Sequence, residues 1–171
     1  MAIRDVHAVL TAALPDAGPI DAVVLVGLGG ANGWATTIDG RPTLFMAVDR
    51  LPDPGYDVVL ALHEMIHAEH QYRVAQDWPA HTLDANLFRE GLAVHATARR
   101  MPTISASGHL WFAPGMQQWI DRCHATRAFL RQRILSEWDR DDPTGAEKWF
   151  SGAPTVTEIC RADAVTGSAG T

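Results

Sequence analysis

The first third of the chain carries short runs of β-branched, aromatic and other apolar residues, which are typical of strands. The first run, DAVVLVGL, covers residues 21–28 and lies between a proline and a cluster of glycines. Two further runs, 34–38 and 43–48, flank the dipeptide Asp39-Gly40, which is a strong signal for a two-residue hairpin turn. The pattern therefore predicts a short antiparallel or mixed sheet of about three strands.

After the strands, the apolar residues change to helical spacing. A first long helix is predicted from residue 54 or 57 to residue 73, with Asp53 as its N-cap. A second is predicted from Leu83 to Arg100, with Thr82 as its cap. A third is predicted over 115–138, after a loop at 102–113 that is rich in serine, glycine and proline.

This order of elements predicts an α+β protein, in which the sheet packs on the first long helix and two further helices follow. The length of 171 residues fits one domain, which we place at residues 1–150. The last segment, 151–171, is predicted to be a poorly ordered tail.

Composition and charge narrow the classes of function. The net charge of −6 argues against binding to nucleic acid or to an anionic membrane, and no run of apolar residues is long enough to cross a bilayer. Asp5 and His7 interrupt the N-terminal apolar stretch, which favours an amphipathic helix over a signal peptide. Two cysteines give no disulfide framework, so we expect a cytoplasmic protein.

Candidate chemistry is concentrated in the segment ALHEMIHAEHQY, residues 61–72. His63, Glu64 and His67 form the pattern H-E-x-x-H, for which the composition gives only about 0.01 chance occurrences. On a helix, residues i and i+4 share a face, so both imidazoles can reach one cation. Glu64 is turned about 100° from His63 and can act as a general base on a nearby water. Imidazole ligands suit Zn²⁺, and we expect that metal.

A catalytic zinc site needs a third protein ligand and a position left for water. The metzincin extension of H-E-x-x-H requires glycine at 70 and histidine at 73, whereas the chain has His70 and Arg73. The second long helix offers Glu90, whose neighbours at helical spacing are apolar, so its carboxylate is predicted to face inward. The adjacent Gly91 is interpreted as a point of close approach between the two helices.

H-E-x-x-H followed by a second helix with the sequence EGLA resembles the gluzincin branch of the zincin metallopeptidases. Within it, the chain is similar to the small bacterial predicted zinc-dependent proteases with an EGLA-type second helix. The similarity covers roughly residues 20–100. It implies a minimal zincin-like fold, with His63, His67 and Glu90 as zinc ligands and Glu64 as base. It also implies that an edge strand, assigned here to TLFMAVD, pairs with an extended peptide or protein substrate.

The chain departs from this family at two positions. The thermolysin pattern has aspartate where this chain has Val94, so another acceptor, such as Asp84 or a backbone carbonyl, must orient the ligand histidine. Tyrosine is absent after Tyr72, so a histidine must stabilise the oxyanion if any side chain does. His95 and His109 are the candidates for that catalytic role.

Three functions remain open. The leading hypothesis is a zinc metallopeptidase in which Glu64 takes a proton from the attacking water. The alternative is a zinc-binding, zincin-like module that hydrolyses another amide or serves only in binding or structure. A closed metal site, with His70 as a fourth protein ligand and no bound water, would favour this alternative. A di-iron helical protein is the third, but it requires a second E-x-x-H, and the residue at that spacing after Glu90 is Ala93.

Overall fold

A computed structural model describes residues 19–28, 31–51, 55–74, 82–111, 115–138 and 149–150, together with Ala12 and Pro15. Within these residues the chain forms three strands and five helices, which confirms the predicted α+β class. In chain order they are β1 (Asp21–Leu25), β2 (Gly33–Ile38), β3 (Arg41–Ala47), α1 (Tyr56–Val74), α2 (Leu83–Arg100), α3 (Ala106–Trp111), α4 (Gln117–Ala125) and α5 (Arg127–Leu135).

The sheet is mixed, with the strand order β1-β3-β2. β2 and β3 form the predicted antiparallel hairpin, and Asp39 and Gly40 have the positive φ values, 50° and 76°, that its two-residue turn requires. β1 pairs in parallel with the other side of β3. The rings of Trp34 and Phe45 stack across the hairpin with their centroids 4.8 Å apart.

The assignment of TLFMAVD to the edge strand is wrong, because this segment forms β3, which is the central strand of the sheet. Both of its edges are paired, and it is the most buried of the three strands. Its nearly continuous apolar sequence reflects burial on both faces rather than exposure at a rim. Among the described strands, the edges belong to β1 and β2.

Contacts divide the chain into two compact units, Met1–Trp78 with Arg89–Met116, and Pro79–Phe88 with Gln117–Thr171. In the first unit, α1 packs on β2 and β3. All residues of α1 from Val58 to Ala68 are buried, so this helix forms the centre of the unit. The core is formed by the following residues: Leu44, Ala61, Leu62, Met65, Ile66 and Ala93.

The predicted third helix is divided in the second unit. α4 ends at Ala125 and α5 begins at Arg127, because the backbone of Thr126 departs from helical geometry, with φ −98° and ψ 13°. Further along, the buried Glu137 carboxylate accepts from Trp149 Nε1 at 3.2 Å and pairs with Arg133 at 3.1 Å. Thr82 lies at the N-cap position of α2, where its carbonyl accepts from the N–H of Asn86, but its hydroxyl makes no hydrogen bond within the described residues.

Part of the predicted loop at 102–113 forms the short helix α3 in the first unit. Ser105 begins this helix, since its hydroxyl accepts from the N–H of Gly108 and its carbonyl accepts from that of His109. Gly108 allows close packing, because a Cβ there would lie 2.5 Å from Ile104 and 2.6 Å from the ring of Tyr56.

Several predictions fall outside the described residues: the amphipathic N-terminal helix, the cap at Asp53 and the tail at 151–171. The single domain over 1–150 stays a prediction. In the part of the chain that is described, no helix has the length and apolar character needed to cross a membrane.

Candidate metal centre

His63, His67 and Glu90 bring three ligand atoms together in the first unit. The two Nε2 atoms of the histidines lie 3.0 Å apart. Oε2 of Glu90 lies 3.2 Å from Nε2 of His63 and 3.3 Å from Nε2 of His67. The three atoms therefore form a nearly equilateral triangle, and this group could hold a metal ion.

The local fold explains how this triangle forms. His63 and His67 lie one turn apart on α1, with their rings edge to face at 4.6 Å. Both side chains belong to the buried part of α1, and each residue is only 7% exposed. Glu90 comes from α2, where Leu92 and Ala93 pack on the core beside it. The Glu90 carboxylate turns toward the two histidines, while its side chain stays 34% exposed.

Electrostatics favour an ionised Glu90. Burial alone would raise its pKa, but the contacts with His63 and His67 outweigh burial and hold the pKa well below its usual range. Its second oxygen, Oε1, lies 3.6 Å from Nε of Arg89. Glu90 therefore offers a negatively charged oxygen to the histidines and turns the other toward a guanidinium.

Glu64 lies beside the triangle without belonging to it. The residue is 9% exposed, and burial raises the pKa of its carboxyl, with His67 and His63 only partly opposing the rise. A buried carboxylate next to a metal position is suited to accept a proton.

The first residue of β2 sets the space around Glu64. A Cβ at Gly33 would lie 3.3 Å from Cγ of Glu64 and 3.2 Å from the carbonyl oxygen of Phe45. The edge strand that approaches the candidate metal centre is therefore β2, not β3. Because Gly33 ends the glycine-rich segment GLGGANG, the sequence alone did not distinguish it from its neighbouring glycines.

The other candidate histidines, His70, His95 and His109, lie outside the triangle. His70 is partly buried on α1 and is not a member of the ligand group; burial, then His67 and Arg89, lower its pKa. His95 is exposed on α2. His109 is buried on α3, where its Nε2 lies 3.2 Å from the carbonyl of Met101. The structure does not bring His95 or His109 into the cluster, and their catalytic role stays a prediction.

The acceptor expected behind a ligand histidine is missing for His67. Its Nδ1 atom is buried and makes no hydrogen bond within the described residues. The proposed acceptor Asp84 instead accepts from the backbone N–H of Ala85 at 2.8 Å, at the start of α2. His67 is therefore oriented by packing and by its contacts with His63 and Glu90.

The interpretation of Gly91 is wrong. This residue is exposed, and a Cβ placed on it would meet no atom within 4 Å, so it marks no close approach of helices. The functionally interesting neighbour of Glu90 is Arg89, which the sequence reasoning missed. Its signal was weak, because an arginine beside a buried glutamate is common on the rim of any helix.

Comparison of the chain with protein-family models, curated proteins and solved structures found no match. Among the described residues, the ligand atoms of His63, His67 and Glu90 lie within 4.8 Å of one another and could hold a metal ion. Function is therefore inferred from this geometry.

Proposed function

We propose that the protein is a zinc-dependent metallopeptidase in which His63, His67 and Glu90 bind the metal and Glu64 is the general base. The observation that carries this proposal is the triangle of ligand atoms, with edges of 3.0, 3.2 and 3.3 Å, beside a buried carboxylate.

The donor set fits zinc. Tetrahedral zinc, with bonds of about 2.0–2.1 Å, separates its ligand atoms by about 3.3–3.4 Å, close to the edges of the triangle. Two histidines and one carboxylate also bind non-haem iron, so the metal must be identified by measurement.

The arrangement favours a catalytic over a closed structural site. A closed site needs a fourth protein ligand, and His70, the candidate for that position, is not in the ligand group of the described residues. Three ligands leave a coordination position for water or substrate. Zinc held by His63, His67 and Glu90 would supply a Lewis acid that polarises the scissile carbonyl and lowers the pKa of a bound water.

Glu64 supplies the proton transfers of peptide hydrolysis. It accepts one proton from water as the water oxygen bonds to the carbonyl carbon. It then donates that proton to the amide nitrogen as the C–N bond breaks. The products are a carboxylic acid and an amine, and Glu64 returns to its initial protonation state.

The edge of β2 provides a surface for an extended peptide. The N–H of Ala47 donates to the carbonyl of Asn32, so these two residues form a hydrogen-bonded pair of the antiparallel ladder. Hydrogen-bonded and non-hydrogen-bonded pairs alternate from there along the hairpin. It follows that the backbone groups of Gly33, Ala35 and Thr37 point away from β3. No described strand pairs with this edge, so an extended substrate can add to it beside Glu64.

The proposal is tested with purified protein and a mixed peptide library. We expect one zinc per chain by elemental analysis, with zinc lost in Glu90→Ala and retained in Glu64→Gln. Peptide cleavage should fall by at least about 10²-fold in Glu64→Gln, because the proton transfers lose their base. Glu69→Gln, the same change on the same helix, is the control. Cleavage by Glu64→Gln at the wild-type rate would exclude this mechanism, and bound iron in place of zinc would exclude this metal.

The alternative, a zinc-binding module that hydrolyses other amides or none, gives a different result. It predicts the same zinc content and the same loss of zinc in Glu90→Ala, without cleavage of any peptide in the library. Assays with small acyl amides would then separate a non-peptidase hydrolase from a protein that only binds zinc.

A further inference from the structure

Arg89 places a positive charge at the edge of the candidate metal centre. Its Nε atom lies 3.6 Å from Oε1 of Glu90, whereas Oε2 of that carboxylate is the oxygen nearest both histidines. The charge of Arg89 also reaches α1, where it opposes the burial-driven rise in the pKa of Glu64. The guanidinium therefore lies beside the Glu90 carboxylate and within electrostatic reach of Glu64.

Burial differs between Arg89 and the histidine ligands. The side chain of Arg89 is 30% exposed and that of Glu90 is 34% exposed, whereas the histidine side chains are 9% exposed. Arg89 and Glu90 thus form the accessible side of the centre. A substrate that approaches on this side therefore meets Arg89 and Glu90 rather than the buried histidines.

Arg89 adds a cationic group beside the proposed metal position. A divalent cation there would be balanced by the carboxylates of Glu90 and Glu64, and the guanidinium lies next to Glu90, in a chain whose net charge is −6. Such a local positive charge attracts an anionic group, and the planar guanidinium binds carboxylates through paired N–H donors.

We propose that Arg89 binds a carboxylate of the substrate and thereby selects peptides that carry a carboxylate next to the scissile bond. This inference rests on the proposed peptidase function and adds the substrate class. The carboxylate has two possible sources with the same chemistry: the C-terminus of the peptide, or the side chain of an aspartate or glutamate.

Binding measured in the Glu64→Gln background tests this inference without requiring hydrolysis. The probes are benzoyl-Gly-Leu with a free C-terminus and its C-terminal amide, titrated into zinc-loaded protein by calorimetry. We expect the acid to bind about tenfold more tightly, as a charge-assisted contact provides. Adding Arg89→Gln should abolish this preference, and Arg89→Lys should keep part of it. Arg99→Gln, an exposed position on the same helix, is the matched control and should leave the preference unchanged.

A second pair of probes identifies the source of the carboxylate. Benzoyl-Gly-Asp-amide and benzoyl-Gly-Asn-amide differ only in a side-chain charge. A preference for the aspartyl probe shows recognition of an acidic side chain, and a preference confined to benzoyl-Gly-Leu shows recognition of the C-terminus. Either result supports the inference, provided that Arg89→Gln removes the preference and elemental analysis shows zinc still bound.

Two results would overturn the inference. One is equal binding of acid and amide in both pairs of probes while Arg89 is intact. The other is an acid preference that persists in zinc-loaded Arg89→Gln, which would place the carboxylate on the metal. These outcomes are separate from the proposed function. If the wild type cleaves neutral peptides but shows no preference for acids, the peptidase function is supported and the role of Arg89 is refuted. If an Arg89-dependent preference is found without any cleavage, the carboxylate-binding role is supported and the peptidase function is refuted.

Discussion

Replacing Gly33 with alanine tests whether the position of Glu64 depends on the space that this glycine leaves. The added Cβ would lie 3.3 Å from Cγ of Glu64, 3.2 Å from the carbonyl oxygen of Phe45 and 3.4 Å from Sδ of Met46. Favourable contacts between such atoms lie at about 3.5–4.0 Å. Because the strand backbone on the other side is held by the hairpin, the Glu64 side chain is the group most able to move.

The expected fall in kcat follows from the short distance between the added Cβ and Cγ of Glu64. Relieving the contact requires a shift of roughly 0.2–0.5 Å, and a displacement of about 1 Å can lower a rate about 10²-fold. We therefore expect Gly33→Ala to lower kcat by roughly 3–10-fold. Crowding costs about 1–3 kcal/mol of stability, against a gain of about 0.4–1 kcal/mol from the lower entropy of the unfolded chain. A small net destabilisation should accompany the lower kcat.

The assay compares Gly33→Ala with Gly91→Ala, where the new Cβ meets no atom within 4 Å. For each variant, kcat, zinc affinity and the midpoint of thermal unfolding are measured. Gly91→Ala should retain wild-type kcat and gain about 0.5–1 kcal/mol of stability, since alanine replaces glycine within a helix. Zinc affinity should stay unchanged in both variants. Wild-type kcat in Gly33→Ala, or an equal fall in Gly91→Ala, would refute the reasoning.

Three further predictions concern stability. Glu64→Gln should raise the free energy of unfolding of the metal-free protein by about 0.5–2 kcal/mol at pH 7, because it removes a buried charge. Because burial raises the pKa of Glu64 in the folded state, ionisation of Glu64 destabilises the fold as the pH rises. The difference in unfolding free energy between variant and wild type, measured by urea unfolding, should therefore shrink toward pH 4. Gly108→Ala should lower stability by about 1–3 kcal/mol, because its Cβ would overlap Ile104 and Tyr56, and thermal unfolding measures this loss. Removal of zinc by a chelator should lower the midpoint of thermal unfolding. If free zinc was present at 100 times its Kd, the lost stability is about 2.7 kcal/mol, and calorimetry with and without chelator measures it.

Much of the fold was predictable from local sequence patterns. Alternation of residue types and the Asp39-Gly40 turn predicted the hairpin, because turn geometry fixes the pairing of adjacent strands. Helical spacing predicted α1 and α2 nearly to the residue. The position of β1 beside β3 was not predictable in this way, because parallel pairing joins segments that are distant in sequence and leaves no local signal.

The candidate site shows the same division. His63, His67 and Glu64, the proposed ligands and base, share one helix, so their spacing alone predicted their proximity. Glu90 could be identified because its apolar neighbours on α2 predicted an inward direction. Arg89 and Gly33 could not, since their relation to Glu64 depends on how separate elements pack.

Unequal burial of the three ligands has a consequence for the rate at which metal enters and leaves. His63 and His67 belong to a stretch of buried helix, and releasing metal past them would require local unfolding of the core. Glu90 is the most exposed of the three, and its side chain can rotate while both helices remain folded. Exchange should therefore proceed through opening of the carboxylate, with Arg89 holding Oε1 and slowing that rotation. The lifetime of the bound ion is then set by one side chain and its neighbour, whereas the preformed histidine pair on the core helix keeps the site ready to capture the next ion.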